Sequence, residues 1–260
     1  MELVDTHCHL FDPPMGAEPA GVLARARAAG VAEVWVPGVD LQSSTRALEP
    51  GARLPGVRVA VGLHPQAVGR DRGWVEAELR GLEALLDAGR AAAVGEIGLD
   101  AEVAGDLELQ SLALEAQLAL ALEHGLPALV HCRGAFARLL AILEEIPPDG
   151  PAILLHAWAG SREIAGLLPA RRCFFGVAGV ITRPEASRAR ARAQALPLDR
   201  LVLETDSPYI GTARRPRGAV EPADVAEVCA ALAELRGLSP EEVAARTTAT
   251  ARGLLAGGSA

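Results

Sequence analysis

Six histidines and a few acids carry most of the chemical potential of this 260-residue chain. His7 and His9 stand two apart in Asp5-Thr6-His7-Cys8-His9, directly after a short apolar run. His64 follows another such run in Gly62-Leu63-His64-Pro65, and His131 and His156 each end one more. Glu96 closes a further run in Gly95-Glu96-Ile97-Gly98-Leu99-Asp100, as does Asp206 in Glu204-Thr205-Asp206-Ser207-Pro208. A lone His at such a position is ordinarily a hydrogen-bonded surface or core residue. Five of them with two acids, all at the ends of apolar runs, are better explained by a metal site. Imidazole nitrogens and carboxylate oxygens suit Zn, Mn, Fe or Mg. Residues two apart on a strand share a side, so the rings of His7 and His9 can face one point. Six ligands among these seven residues exceed what one tetrahedral ion takes and suggest two ions. A pair ~3.5–4 Å apart needs a bridging ligand. The chain has no Lys, which leaves Glu96 as the candidate on a central strand. His124, in Glu-His-Gly, reads as a helix C-terminal cap.

These residues need a frame that brings strand ends together. Apolar runs predict strands near 2–5, 33–37, 57–62, 91–95, 127–131, 152–156, 172–176 and 200–205, with the continuous hydrophobicity of a parallel sheet buried on both faces. Helical patterns separate or follow them at 18–29, 74–88, 108–124, 135–146, 220–236 and 239–255. Eight strands alternating with helices over this length match an α/β fold of the (β/α)8 TIM type, whose active sites lie at the strand C-termini. A doubly wound sheet is the alternative, but no G-x-G-x-x-G follows the first strand. The Pro/Gly-rich pieces at 13–14, 147–150 and 214–218 read as loops too short for a linker, so 1–260 is expected to be a single domain.

Composition narrows the function. Hydrophobic residues at 50% and charged residues at 22% exclude a disordered chain. Aromatics are only 3%, so the core must be Ala, Leu and Val, and surfaces for stacking bases are scarce. A net charge of −8 argues against a protein that coats nucleic acid non-specifically. No run approaches the ~20 apolar residues of a membrane span, and the N-terminal Met-Glu-Leu-Val-Asp has no basic n-region or apolar h-region. A cytoplasmic protein is expected. Cys8, Cys132, Cys173 and Cys229 lie far apart without a C-x-x-C pair, which speaks for a reducing compartment and against a disulfide framework or structural zinc. Strand alternation turns Cys8 and Cys132 away from the histidines, as core residues. Without Lys there is no Schiff base, Walker-type loop or carbamylated-lysine bridge. Arg214, Arg215 and Arg217 form a positive rim after the last strand, whereas Arg188, Arg190 and Arg192 read as a solvated helix face.

The segments DTHCHL, GLHP, GEIGLD, LVHCR, HAWAGS and ETDSPYI, in that order from residue 5 to about 210, resemble the TatD family of metal-dependent hydrolases in the amidohydrolase superfamily. The resemblance implies a TIM-like barrel, two divalent ions (Mg, Mn or Zn), and exonuclease-type hydrolysis of DNA phosphodiester bonds by a metal-activated water. It assigns His7, His9, Glu96 and Asp206 to one ion and Glu96, His131 and His156 to the other. Asp206 would also be the general base, and Glu96 belongs with it to the catalytic pair. His64, Arg133 and Arg217 correspond to substrate-contacting positions, with single-stranded DNA or a nucleotide-like molecule as substrate. No membrane association and no obligate protein partner is implied. The chain departs from the family where aromatics usually follow GEIGLD: here stands the acidic run Asp100-Ala101-Glu102-Val103-Ala104-Gly105-Asp106. Pro216 replaces a Tyr before Arg217-Gly218, and Thr248-Ala249-Thr250 replaces an Asn-containing segment. Because single strands are normally gripped by stacking, an alternative keeps the metal site for an ester, amide or aminoacyl bond in a small molecule or conjugate. A non-catalytic metal-binding barrel is a third reading.

Overall fold

The computed structural model of the chain describes residues 1–68, 71–168 and 172–256. Its strands are β1 (Leu3–Asp5), β2 (Val31–Pro37), β3 (Val57–Val61), β4 (Ala93–Asp100), β5 (Ala128–Arg133), β6 (Ile153–Leu155), β7 (Cys173–Val177) and β8 (Leu201–Leu203). The α-helices are α1 (Pro19–Ala28), α2 (Leu41–Arg53), α3 (Arg72–Asp87), α4 (Leu107–Glu123), α5 (Phe136–Glu144), α6 (Arg162–Leu167), α7 (Ser187–Ala195), α8 (Val225–Arg236) and α9 (Pro240–Leu255). Strand order equals chain order, β1 to β8. With parallel pairing and helices between successive strands, this is the (β/α)8 TIM-type fold. Among the described residues no helix is long and apolar enough to cross a membrane.

Two compact units divide the chain. The first comprises Met1–Val36 and Phe175–Gly253. Here β1 lies parallel to β2, Val4 opposite Glu33, and β7 lies parallel to β8, Phe175 opposite Leu201. Trp35 and Phe175 are the largest of the fully buried side chains, among Leu3, Val202 and Leu232. Buried Glu33 receives Arg252 Nε at 2.7 Å, which compensates its lost hydration.

The second unit comprises Pro37–Phe174 and Leu254–Ala260. Its axis is β4, buried along its whole length between β3 and β5. The sequence suggested a strand ending at residue 95. Instead the pairing with β5 continues from Ile97 opposite Val130 to Asp100 opposite Arg133. Glu96 therefore sits mid-strand rather than at an end. Gly98 permits this continuation: its φ is +143°, and a Cβ there would lie 1.9 Å from the carbonyl oxygen of His131.

Helix α4 is capped at its start by the Asp106 carboxylate, which accepts from Glu108 N at 2.9 Å. It ends at His124, the expected cap. Two glutamines on it, seven residues and hence about two turns apart, point inward and are buried. Gln117 accepts from Leu63 N at 2.7 Å and donates to Leu63 O at 3.2 Å. Gln110 does the same for Asp100, at 2.8 and 3.1 Å. Each amide satisfies both backbone groups of a residue at or beside a candidate site position.

Candidate metal centre

In the first unit, Asp5 ends β1 fully buried. Its Oδ1 accepts from Thr205 N (2.9 Å) and His7 N (3.3 Å), and its Oδ2 from the Thr205 hydroxyl (2.6 Å). Burial pushes the Asp5 carboxyl up to about 7, against the lowering effect of those bonds. The carboxylate thus ties the chain leaving β1 to the chain leaving β8. Beyond this tie the His7 and His9 rings lie 5.1 Å apart, on one side as their spacing suggested. Their Nε2 atoms stand 3.9 and 3.5 Å from the same oxygen, Asp206 Oδ1. Asp206 adopts a left-handed backbone, φ +48°, which Asp tolerates better than most residues. Its N–H donates to His7 O at 2.8 Å, and its carbonyl accepts from Tyr209 N at 2.7 Å.

The second unit gathers three imidazoles on one carboxylate oxygen. Glu96 Oε1 is 2.8 Å from His156 Nε2, 3.2 Å from His131 Nδ1 and 3.3 Å from His64 Nε2. The four groups are not equivalent. His64 Nδ1 accepts from Gln66 N at 3.0 Å, so a neutral His64 carries its proton on Nε2 and donates it to Glu96. His64 thereby donates a hydrogen bond to Glu96, and its ligand atom also lies close to those of Glu96 and His131. His131 Nδ1 and His156 Nε2 face each other at 3.0 Å beside Glu96. The far nitrogen of His131, Nε2, is 3.1 Å from buried Asp100 Oδ2. Two imidazole nitrogens and a buried carboxylate oxygen in mutual contact are a donor set that a divalent cation satisfies.

Neither the pairing of Asp100 with His131 nor the inward glutamines of α4 are among the features expected from the sequence. Asp100 had a signal, its place in the same short segment as Glu96. The cysteines beside the histidines differ: Cys8 is fully buried, but Cys132 is only half-buried and so is not the core residue expected. All four cysteines are free thiols. Arg133 is exposed and pairs with Glu102, from the acidic run after Asp100. In the arginine-rich loop Arg215 Nε binds Asp224 at 3.1 Å, while Arg214 and Arg217 are exposed. On α7, Arg188 is exposed, but Arg190 reaches back to Ile181 O at 2.9 Å, so that face is not simply solvated.

The TatD related DNase family profile matches residues 4–256. The metal-dependent hydrolase YjjV of Escherichia coli (strain K12) is 34% identical over 254 residues, 93% of either chain. A protein named 3'-5' ssDNA/RNA exonuclease TatD, from Cronobacter sakazakii, is 34% identical over 88% of this chain and 89% of its own. The crystal structure of the Escherichia coli YjjV protein superposes with a TM-score of 0.88 at 32% identity, covering 97% of both chains. The fold, the divalent-metal dependence and the hydrolase class follow together: this chain is a member of the TatD family of metal-dependent hydrolases.

Proposed function

We propose that the chain is a two-metal exonuclease that removes nucleotides from the 3′ end of single-stranded DNA. The observation that carries this reading is the convergence of His131 and His156 on one oxygen of buried Glu96. Support comes from relatives bearing the name 3'-5' ssDNA/RNA exonuclease TatD. Glu96, His131 and His156 would hold one ion, and His7, His9, Asp206 and Glu96 the other, with Mg, Mn and Zn all compatible with the donors. Such ions supply Lewis acidity toward a phosphoryl oxygen and acidify a water.

The chain's own residues do the rest. Asp206 accepts the proton of the attacking water at Oδ1, the atom toward which the His7 and His9 Nε2 atoms point. Arg217, exposed after β8, offsets the phosphate charge. Arg133 does so by exchanging Glu102 for the phosphate, an exchange eased by the exposure of that pair. His64 keeps the Glu96 carboxylate oriented through its Nε2 proton.

The test is digestion of a 5′-labelled single strand by metal-stripped protein reloaded with Mg, Mn or Zn. Stepwise shortening from the 3′ end is expected. An intact oligonucleotide, with hydrolysis of an ester, amide or aminoacyl conjugate instead, overturns the reading in favour of the small-molecule alternative.

A further inference from the structure

Aromatic surface is scarce in this protein, at 3% of residues: Trp35 and Phe175 are buried, and Trp74, Trp158, Phe11, Phe136 and Phe174 are half-buried. Tyr209, the one tyrosine, breaks the pattern at 42% exposure. Its ring does not dangle. It packs against the His9 ring, with centroids 5.0 Å apart and planes at 76°, and the hydroxyl donates to Asp12 Oδ2 at 2.9 Å. Its backbone N–H is bonded to the carbonyl of Asp206. An exposed aromatic ring is thus fixed at its backbone, against His9 and at its tip, beside two residues proposed to hold metal.

From this arrangement we infer that Tyr209 is the platform on which the base of the departing 3′ nucleotide stacks, and that it makes the enzyme prefer base-bearing over abasic ends. The inference rests on the nucleic-acid reading above. Every base has a π-face, so a stacked tyrosine grips single strands without reading sequence. A ring already immobilised loses little freedom on binding. This supplies a stacking surface after β8 in a chain that lacks the family's usual aromatics after GEIGLD, at the end of β4.

The experiment compares kcat/KM on two single-stranded oligonucleotides that differ only in whether the 3′-terminal nucleotide carries a base. Wild type is expected to prefer the base-bearing end by about 5- to 150-fold, the equivalent of ~1–3 kcal/mol for one stacked base. Tyr209→Ala should bring the ratio near one, whereas Tyr209→Phe, which keeps the ring, should retain most of it. Metal content is measured in each. If the alanine variant loses metal, Tyr209→Leu, which fills the space without a π-face, gives the ratio instead. A wild-type ratio in Tyr209→Ala or Tyr209→Leu, or no preference in wild type, overturns the inference while leaving the nuclease intact. Failure of wild type to cut either oligonucleotide overturns the nuclease reading and this inference with it.

Discussion

His131 is held from both sides: Nε2 lies 3.1 Å from Asp100 Oδ2 while Nδ1 lies 3.2 Å from Glu96 Oε1. A carboxylate on the far nitrogen fixes the tautomer, with the proton on Nε2, and leaves the Nδ1 lone pair toward Glu96 and His156. Asp100 is itself fixed by Gln110, which binds both its backbone groups. Asp100→Ala should therefore weaken metal retention about 10- to 100-fold, the usual effect of removing such a partner. Asp100→Asn, which can still accept from Nε2–H, should lose less. Equilibrium dialysis against a metal buffer reads this directly, and unchanged affinity in Asp100→Ala would remove Asp100 from the site.

The backbone beside this pair allows little substitution. At Gly98 a side chain meets the His131 carbonyl at 1.9 Å, with φ at +143°. Strain and overpacking each cost on the order of 1–3 kcal/mol. Gly98→Ala is expected to lower the melting temperature by roughly 4–24 °C and to displace His131. A melting temperature within a degree of wild type would show that β4 yields more easily than its pairing suggests.

Much of this site was legible in the sequence because its donors sit at regular places. His7 and His9 stand two apart after β1, and His131 and Asp206 lie in or just past strands whose apolar runs stand out. Glu96 was misplaced at a strand end because the length of β4 is set by pairing with β5, not by its own residues. Gln110 and Gln117 were silent for another reason. A glutamine on a helix ordinarily faces water, and only the helix orientation turns these two inward. The Tyr209–Asp12 bond joins residues 197 positions apart, which no local pattern encodes.

The thiols offer a test of burial. Burial first, and then Glu241, raises Cys229 from an ordinary 9.0 to about 11, and burial raises Cys132 to about 12. Cys8 is also raised well above its ordinary value, by burial and then by Asp5. An acid with a raised pKa stays protonated, and the thiolate is the reactive form. At pH 8, native Cys229 should thus react with a chromogenic disulfide reagent about 100-fold more slowly than an ordinary cysteine, each unit being tenfold. Denaturant should release all four thiols. Rapid stoichiometric reaction of the native protein would contradict the burial.

Metal should also stabilise the fold. Ligands that bind only the folded chain add about 2.7 kcal/mol at a hundred times their dissociation constant, roughly 5–11 °C for a chain near this size. Added Mn2+ should raise the melting temperature of stripped wild type by that order, and of Glu96→Gln by much less. An equal rise in both would place the ion elsewhere.

The central claim is that two divalent ions, sharing Glu96, drive phosphodiester hydrolysis. Its most direct test is titration of metal-stripped protein with Mn2+, following bound metal and mononucleotide release from single-stranded DNA together. Release should climb to a plateau at two equivalents and be absent throughout in Asp206→Ala. Full activity at one equivalent, activity without metal, or undiminished release by Asp206→Ala would contradict it.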